Sequence, residues 1–436
     1  MRGASEPEST LAPTAPPLPP GGVRTLLAHE QRPPTKRWRV AYLVSHPIQY
    51  QAPLLRHLTT DSELDVCALF LSDVSIGNFR DPGFDREVEW DVDLLSGYEH
   101  RFLPAHGATD QLSPLRPRTR GIEGLFASGE FDALWVHGYA HQATLRAIAA
   151  AKRARIPVLM RGESLLQGRR TSGFGPWLRE RLLPRILRRV DAFLAIGSAN
   201  RDFYRAYGVT NDRIFDAPYV VDNDRFRAQA LAARPQREAL RAELELDPER
   251  PVVLFASKLS DRKRPLDAIE AVTRLGEAHP ERAPYLLLVG DGPLRGDVQR
   301  AVEAAEARLG RPTFRRLGFI NQTELPRYYD LSDVLTLPST FEPWGLIVNE
   351  AMAAGRPVVV SDRVGSGFDL VEPGRTGEVH PAGDARGLQE ALWRVLESRE
   401  TARAYGERAA ERIARHDFDA VARGITAALD ACGGTR

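Results

Sequence analysis

The segment FEPWGLIVNEAMAAGRPVVVS, residues 341–361, carries two carboxylates, Glu342 and Glu350, eight positions apart among small and apolar side chains. DVLTLPS before it and RPVVVS at its end read as strands, so Pro343–Ala354 is predicted to be the intervening helix. Pro343 suits a first helical turn, and Gly355-Arg356-Pro357 is a stop signal. Glu342 then lies in the strand-to-helix loop, with Gly345 and Leu346 in the first turn. There the unsatisfied N–H groups and the positive end of the helix dipole favour an anion. Glu350 lies about two turns further on. Acceptor-only side chains around an anion-ready helix start suit a ligand that carries both hydroxyls and phosphates. On spacing alone, an ordinary helix-start acid and a surface helix residue explain the two carboxylates equally well.

A second element, FASKLSDRKRP, places Lys258 at the end of a predicted strand and Arg262, Lys263 and Arg264 in the loop behind it. Cations at the carboxyl end of a strand, opposite a helix start, can clamp a diphosphate. Taken alone, a solvated basic loop is the simpler account. A third element, LLLVGDGPLR, puts Gly290 and Asp291 in a turn after an apolar strand, where a backbone without Cβ can approach a ligand closely.

These residues need a scaffold, and the apolar pattern supplies one. Short apolar runs alternate with amphipathic stretches from RWRVAYLVS through LDVCALFLS, FDALWVH, IPVLMRGES, VDAFLAIGS and RIFDAPYVV. A second series runs from PVVLFASKL through APYLLLVGDG, TFRRLGFI, DVLTLPS and RPVVVSD to TGEVHP. This is the rhythm of parallel sheets covered by helices, an α/β fold of two Rossmann-like domains facing a cleft. The expected boundaries are a disordered leader over 1–36, a first domain over 37–225, a polar linker over 226–245 and a second domain over 246–411.

The first loop of the amino-terminal half, SHPIQYQAP, carries His46, Gln49, Tyr50 and Gln51 where a dinucleotide enzyme would have glycines. Such groups suit a polyhydroxy acceptor better than a pyrophosphate. His137 ends the next strand but one, followed by Tyr139 and His141, and Arg161, Glu163 and Ser164 follow another. A histidine at a strand end is as readily a structural hydrogen-bonder as a catalyst.

Bulk properties exclude several classes. The 436 residues are 43% hydrophobic and 27% charged with a net charge of +1, so no global field draws the chain to nucleic acid. Cys67 and Cys432 make no disulfide framework. Apolar runs are of strand length, and the start has no secretory signal, so a cytoplasmic location is expected. Residues 175–190, GPWLRERLLPRILRRV, read as a basic amphipathic helix that either packs on the first sheet or touches an anionic membrane surface. HExxH, GxSxG and a strand-borne DxD are all missing. No metal or other cofactor is expected.

From about 38 to 430 the chain resembles the GT-B glycosyltransferases of retaining family 4, the glycosyl transferases group 1 family. The resemblance is densest in FASKLSDRKRP, LLLVGDGPLR, LGFINQTELPRYYDLSDVLTLPS and FEPWGLIVNEAMAAGRPVVVSDRVG, in family order. Glu342 and Glu350 match its E-x7-E motif, and Lys258 stands where an Arg is usual. The resemblance implies that Glu342 contacts the donor sugar and that Glu350 binds ribose hydroxyls. It also implies that Lys258 and Lys263 hold the diphosphate, with help from the Gly345 and Leu346 amides. His137 would approach the donor sugar, and helix 412–436 would pack back on the first domain. The implied activity is metal-free, retaining transfer from a nucleoside diphosphate sugar, with UDP expected, to a hydroxyl of a glycan, glycolipid or small metabolite. A sugar-nucleotide 2-epimerase and a non-catalytic sugar-nucleotide-binding subunit are alternatives on the same fold. The Gly-Gly pair common in the family's first loop is replaced here by SHPIQYQAP. The acceptor-side assignments, His46, Gln49, Tyr50 and Arg161, therefore rest on chemistry rather than on resemblance.

Overall fold

The computed structural model describes residues 37–81, 83–106, 112–166 and 174–433, side chains at 174–178 excepted. The expected leader over 1–36 lies outside the described residues.

The first domain is built on β1 (Trp38–Val44), β2 (Leu64–Phe70), the hairpin β3 (Phe79–Asp81) and β4 (Arg86–Val88), and β5 (Glu99–Phe102). There follow a short pair, β6 (Ala105–His106) and β7 (Arg118–Thr119), then β8 (Ala133–His137), β9 (Val158–Arg161), β10 (Ala192–Ala195) and β11 (Ile214–Asp216). Seven of these strands form one sheet in the order β11-β10-β9-β8-β1-β2-β5, parallel throughout. Alternate residues of its central strands feed two cores. Ala41, Leu43, Leu134 and Val136 face one side, and Val40, Tyr42, Ala133 and Trp135 the other. A strand buried on both faces has to be apolar throughout, which is why these runs do not alternate with polar residues.

The second domain repeats the scheme with β12 (Val252–Ala256), β13 (Tyr285–Val289), β14 (Phe314–Gly318), β15 (Val334–Leu337), β16 (Val358–Ser361) and β17 (Gly377–His380). Their order is β14-β13-β12-β15-β16-β17, again parallel. β12 therefore lies beside β15, and the loops that leave their carboxyl ends are neighbours.

One segment differs from expectation. Residues 226–245 are not a linker: helices Asn223–Ala233 and Arg237–Glu243 bury Phe226, Ala230 and Leu240 in the second domain's core. Asp222 caps the first of them by accepting from the Arg225 amide at 2.9 Å. In the helix Phe174–Leu187, Leu183 and Leu187 are buried in the first domain's core, leaving Leu182 exposed among arginines. The Trp177 and Leu178 side chains of the amphipathic reading lie outside the described residues. The last helix, Phe418–Gly433, packs Val421, Ile425, Ala428 and Leu429 against the first domain's sheet. Among the described residues, no helix is long and apolar enough to cross a membrane.

Candidate active site

Both loops singled out in the second domain reach the same place. Lys258 follows β12, and a short 3-10 turn, Asp261–Lys263, leads into helix Pro265–Ala278. The Arg262 carbonyl accepts from the Thr340 amide at 2.8 Å, tying this loop to the one after β15. Across that seam the Lys263 ammonium donates to the Glu342 carboxylate. The two residues are only 9% and 8% exposed. Burial pushes the Lys263 ammonium below its usual range, and the charge on Glu342 opposes that shift.

The helix behind Glu342 is shorter than predicted, Leu346–Ala353, because Glu342 pairs as an isolated bridge with Val364 and Gly345 takes φ +91° as the cap. Pro343 stands outside it. Leu346 opens the helix, so its first-turn amides point to the end where Glu342 and Lys263 meet. Glu350 is buried rather than a surface residue, and it accepts from the Tyr329 hydroxyl. Burial pushes its carboxyl up to about 7, and the Tyr329 bond offsets only part of that.

Lys258 turns instead toward the first domain. Its Nζ lies 2.8 and 3.0 Å from the Asp81 carboxylate oxygens and 4.6 Å from the Phe84 ring centroid. The same hairpin region continues onto the second domain: Phe84 meets Phe319 edge-on at 4.9 Å, and Asn321 donates to the Glu89 carbonyl at 2.6 Å. Nothing in the sequence near Asp81 marks this contact.

Gly290 and Asp291 are packed and bonded within their own turn. Gly290 is pressed on the Ser257 carbonyl, where a Cβ would stand 1.9 Å from the oxygen. The Asp291 carboxylate accepts from the Gly292 amide at 2.8 Å and from Arg295, so it is spent on its own turn.

In the first domain, His137 and Arg161 are register partners at the carboxyl ends of β8 and β9. His137 is enclosed by tyrosines, with Nδ1 3.2 Å from the Tyr42 hydroxyl and Nε2 3.1 Å from the Tyr219 hydroxyl. Burial, with Arg161 and His46 adding repulsion, pushes its imidazole down to about 3 and keeps it neutral. Arg161 is 1% exposed. It lies beneath the Tyr219 ring at 4.6 Å and donates to the Pro218 carbonyl at 2.5 Å, so it supports the cluster and is not presented to an acceptor. Tyr50 packs edge-on against Tyr219 at 5.8 Å, with its hydroxyl 3.5 Å from Glu163. His46 is 2.9 Å from the Ser45 hydroxyl, and burial pushes it down to about 4. Gln49 sits half-buried in the turn ahead of helix Gln51–Asp61.

Tyr42, Tyr219, Trp344 and Asn349 were not anticipated. Tyr219 was hidden inside RIFDAPYVV, read as one strand, although its Pro218 is a poor ladder member and marks the point where the chain leaves the sheet.

Two parallel α/β domains, joined where the loops beyond their strands touch, define the GT-B architecture. Residues 49–219 match the family model for the glycosyl transferase 4-like domain, and residues 236–412 match that for glycosyl transferases group 1. The chain belongs to the group 1, family 4 glycosyltransferases. It is 31% identical over 228 residues to the D-inositol 3-phosphate glycosyltransferase of Nocardia farcinica, covering 52% of this chain and 49% of that protein. To the alpha-D-kanosaminyltransferase of Streptomyces kanamyceticus it is 30% identical over 225 residues, covering 51% and 56%. The chain thus spans about half the length of the curated relatives it matches. Its fold is that of Anabaena HepE in complex with UDP and glucose, with a TM-score of 0.65 at 16% identity over 91% of this chain and 100% of that one. Sucrose-phosphate synthase from Thermosynechococcus elongatus also has a TM-score of 0.65, at 20% identity over 92% and 100%.

Proposed function

We propose that the protein transfers a hexosyl group from a nucleoside diphosphate sugar, with UDP as the nucleotide, to a hydroxyl of a glycan, glycolipid or small metabolite, with retention of configuration. The observation that carries this reading is the meeting of Lys263 and Glu342 beside the start of helix Leu346–Ala353. A cation, a carboxylate and a helix N-terminus meet at one place, and these are the charges demanded when a diphosphate leaves a carbon that becomes oxocarbenium-like. Lys258 and Lys263 would neutralise the departing diphosphate, so the reading requires no metal. Glu342 would face the sugar, Glu350 would accept from ribose hydroxyls, and His137 would border the sugar from the first domain. The bond from the anomeric carbon to phosphate oxygen breaks and the bond to the acceptor oxygen forms. The acceptor's proton leaves with a phosphate oxygen.

The relatives support the class: one is named for an inositol phosphate and another for a kanosaminyl group, and the HepE complex contains UDP and glucose. The same reading places the protein in the cytoplasm. Arg181 and Arg185, beside the exposed Leu182, would supply peripheral contact with an anionic membrane. A thermal-shift panel of UDP-, GDP-, ADP- and dTDP-sugars, followed by acceptor trials with NMR of the product anomer, tests the proposal. Stabilisation by UDP-sugars and a retained anomer are expected. Indifference to every nucleotide sugar, or an inverted product, would overturn it.

A further inference from the structure

Tyr219 is held from both domains at once. Its main-chain carbonyl accepts from Asn349 Nδ2 at 3.0 Å, and Asn349 Oδ1 accepts from Trp344 Nε1 at 2.9 Å. Asn349 precedes Glu350, and Trp344 follows Glu342 by two positions, so the Tyr219 backbone is fastened to the segment that carries both carboxylates. The phenol reaches the other way. Its oxygen is 2.7 Å from Glu163 Oε1 and 3.1 Å from His137 Nε2, and its ring lies within 5° of parallel to the imidazole. All of Tyr219, Trp344 and Asn349 are buried.

Counting protons orients the imidazole. The Tyr219 hydroxyl donates to the Glu163 carboxylate at 2.7 Å, which uses its single proton. The Tyr219 contact with His137 Nε2 at 3.1 Å is therefore Nε2–H donating to the phenol oxygen. His137 is held neutral, so Nδ1 carries a lone pair and faces the Tyr42 hydroxyl at 3.2 Å, which also lies 2.8 Å from Gln51 Oε1. Glu163 itself stands at the exposed edge of the cluster.

We propose that Tyr219 is a positioning residue: it fixes the tautomer and ring orientation of His137 through its hydroxyl, and through its carbonyl it holds that ring in register with helix Leu346–Ala353. The kinetic half of this inference rests on the transferase reading, while the spectroscopic half does not. Tyr219→Phe keeps the ring, the Arg161 contact and the Asn349 bond but removes the hydroxyl. Nitrogen-15 NMR of histidine-labelled protein, with His137→Gln assigning the signal, is expected to show one Nε2–H tautomer in the wild type and a mixture in Tyr219→Phe. With a donor found by the panel, kcat should fall ten- to hundredfold while donor KM stays within twofold. Asn349→Ser should lower kcat likewise, and the double variant should lose little more than the worse single one, because both lesions break one link. An unchanged His137 signal in Tyr219→Phe, a loss confined to thermal stability, or fully additive kinetic losses would each overturn the proposal. If the wild type transfers no sugar, the transferase reading fails on its own and the His137 spectrum still decides this one.

Discussion

The Lys263 ammonium donates to the Glu342 carboxylate across 79 residues of sequence, with both groups almost entirely enclosed by protein. Each satisfies the other's charge. A buried ion pair contributes little net stability, but removing one member leaves the other buried alone, at a cost on the order of 3 kcal/mol. Lys263→Ala should therefore lower both the melting temperature and the transfer rate, the latter by about a hundredfold or more, as expected when one preorganised group for a developing charge is lost. Lys263→Met combined with Glu342→Gln should recover most of the melting temperature and none of the activity. Calorimetry and a nucleotide-release assay on the same samples check both statements. Near-normal transfer by a folded Lys263→Ala protein would remove Lys263 from the donor site.

Asp81 pairs with Lys258 from the opposite domain, so on the proposed reading a diphosphate at Lys258 would compete with a carboxylate already in place. The pair is partly exposed, with side chains 34% and 15% accessible, and such pairs contribute about 1 kcal/mol or less. Asp81→Asn is expected to tighten UDP binding by roughly threefold to fivefold. Titration calorimetry at low salt reads this directly. Weaker binding would mean that Asp81 holds Lys258 ready for the ligand rather than blocking it.

Glu350 makes stability depend on pH. Its carboxyl is pushed from its ordinary 4.5 to about 7 by burial. Between those values the folded protein keeps a proton that the unfolded chain has released, so this group's contribution falls as pH rises through the window. It is fully present below about 4.5 and lost above about 7. The difference is roughly 3 kcal/mol. Glu350→Gln keeps an acceptor for Tyr329 and removes the titration. Its advantage in melting temperature over the wild type should grow from about pH 4.5 to about pH 7 and then level off. A constant difference across that range would contradict the assignment.

The two sheets were legible because strands buried on both faces leave continuous apolar runs, as PVVLFA and YLLLV do here. The convergence of the basic loop on Glu342 was not, since it depends on β12 lying beside β15, a strand order that no local pattern reports. Asp81 was invisible for the same reason: an acid in a hairpin acquires meaning only from the domain it reaches. Segment 226–245 misled because its charges mask Phe226, Ala230 and Leu240, which line one side of two short helices. Arg161 misled in the opposite direction, since a cation at a strand end suggests a ligand but here lies beneath a tyrosine ring.

Gly345 offers the most local test of how Glu342 is placed. At φ +91° an alanine is strained, and its Cβ would lie 2.9 Å from Leu337 Cδ2 and 3.2 Å from Glu342 Cγ. Gly374 has a similar φ of +78° with nothing within 4 Å of the added carbon, so Gly374→Ala measures the backbone strain alone. That strain is about 1 kcal/mol or somewhat more. Both variants should lose comparable stability from the backbone, and Gly345→Ala should lose more through crowding. Only Gly345→Ala pushes on the carboxylate, so it alone should lose transfer activity, by tenfold or more, because a displacement near 1 Å at a reacting centre is enough for that. Melting curves and transfer rates on the two proteins separate the effects. Equal activity losses would show that backbone strain, and not the position of Glu342, governs the rate.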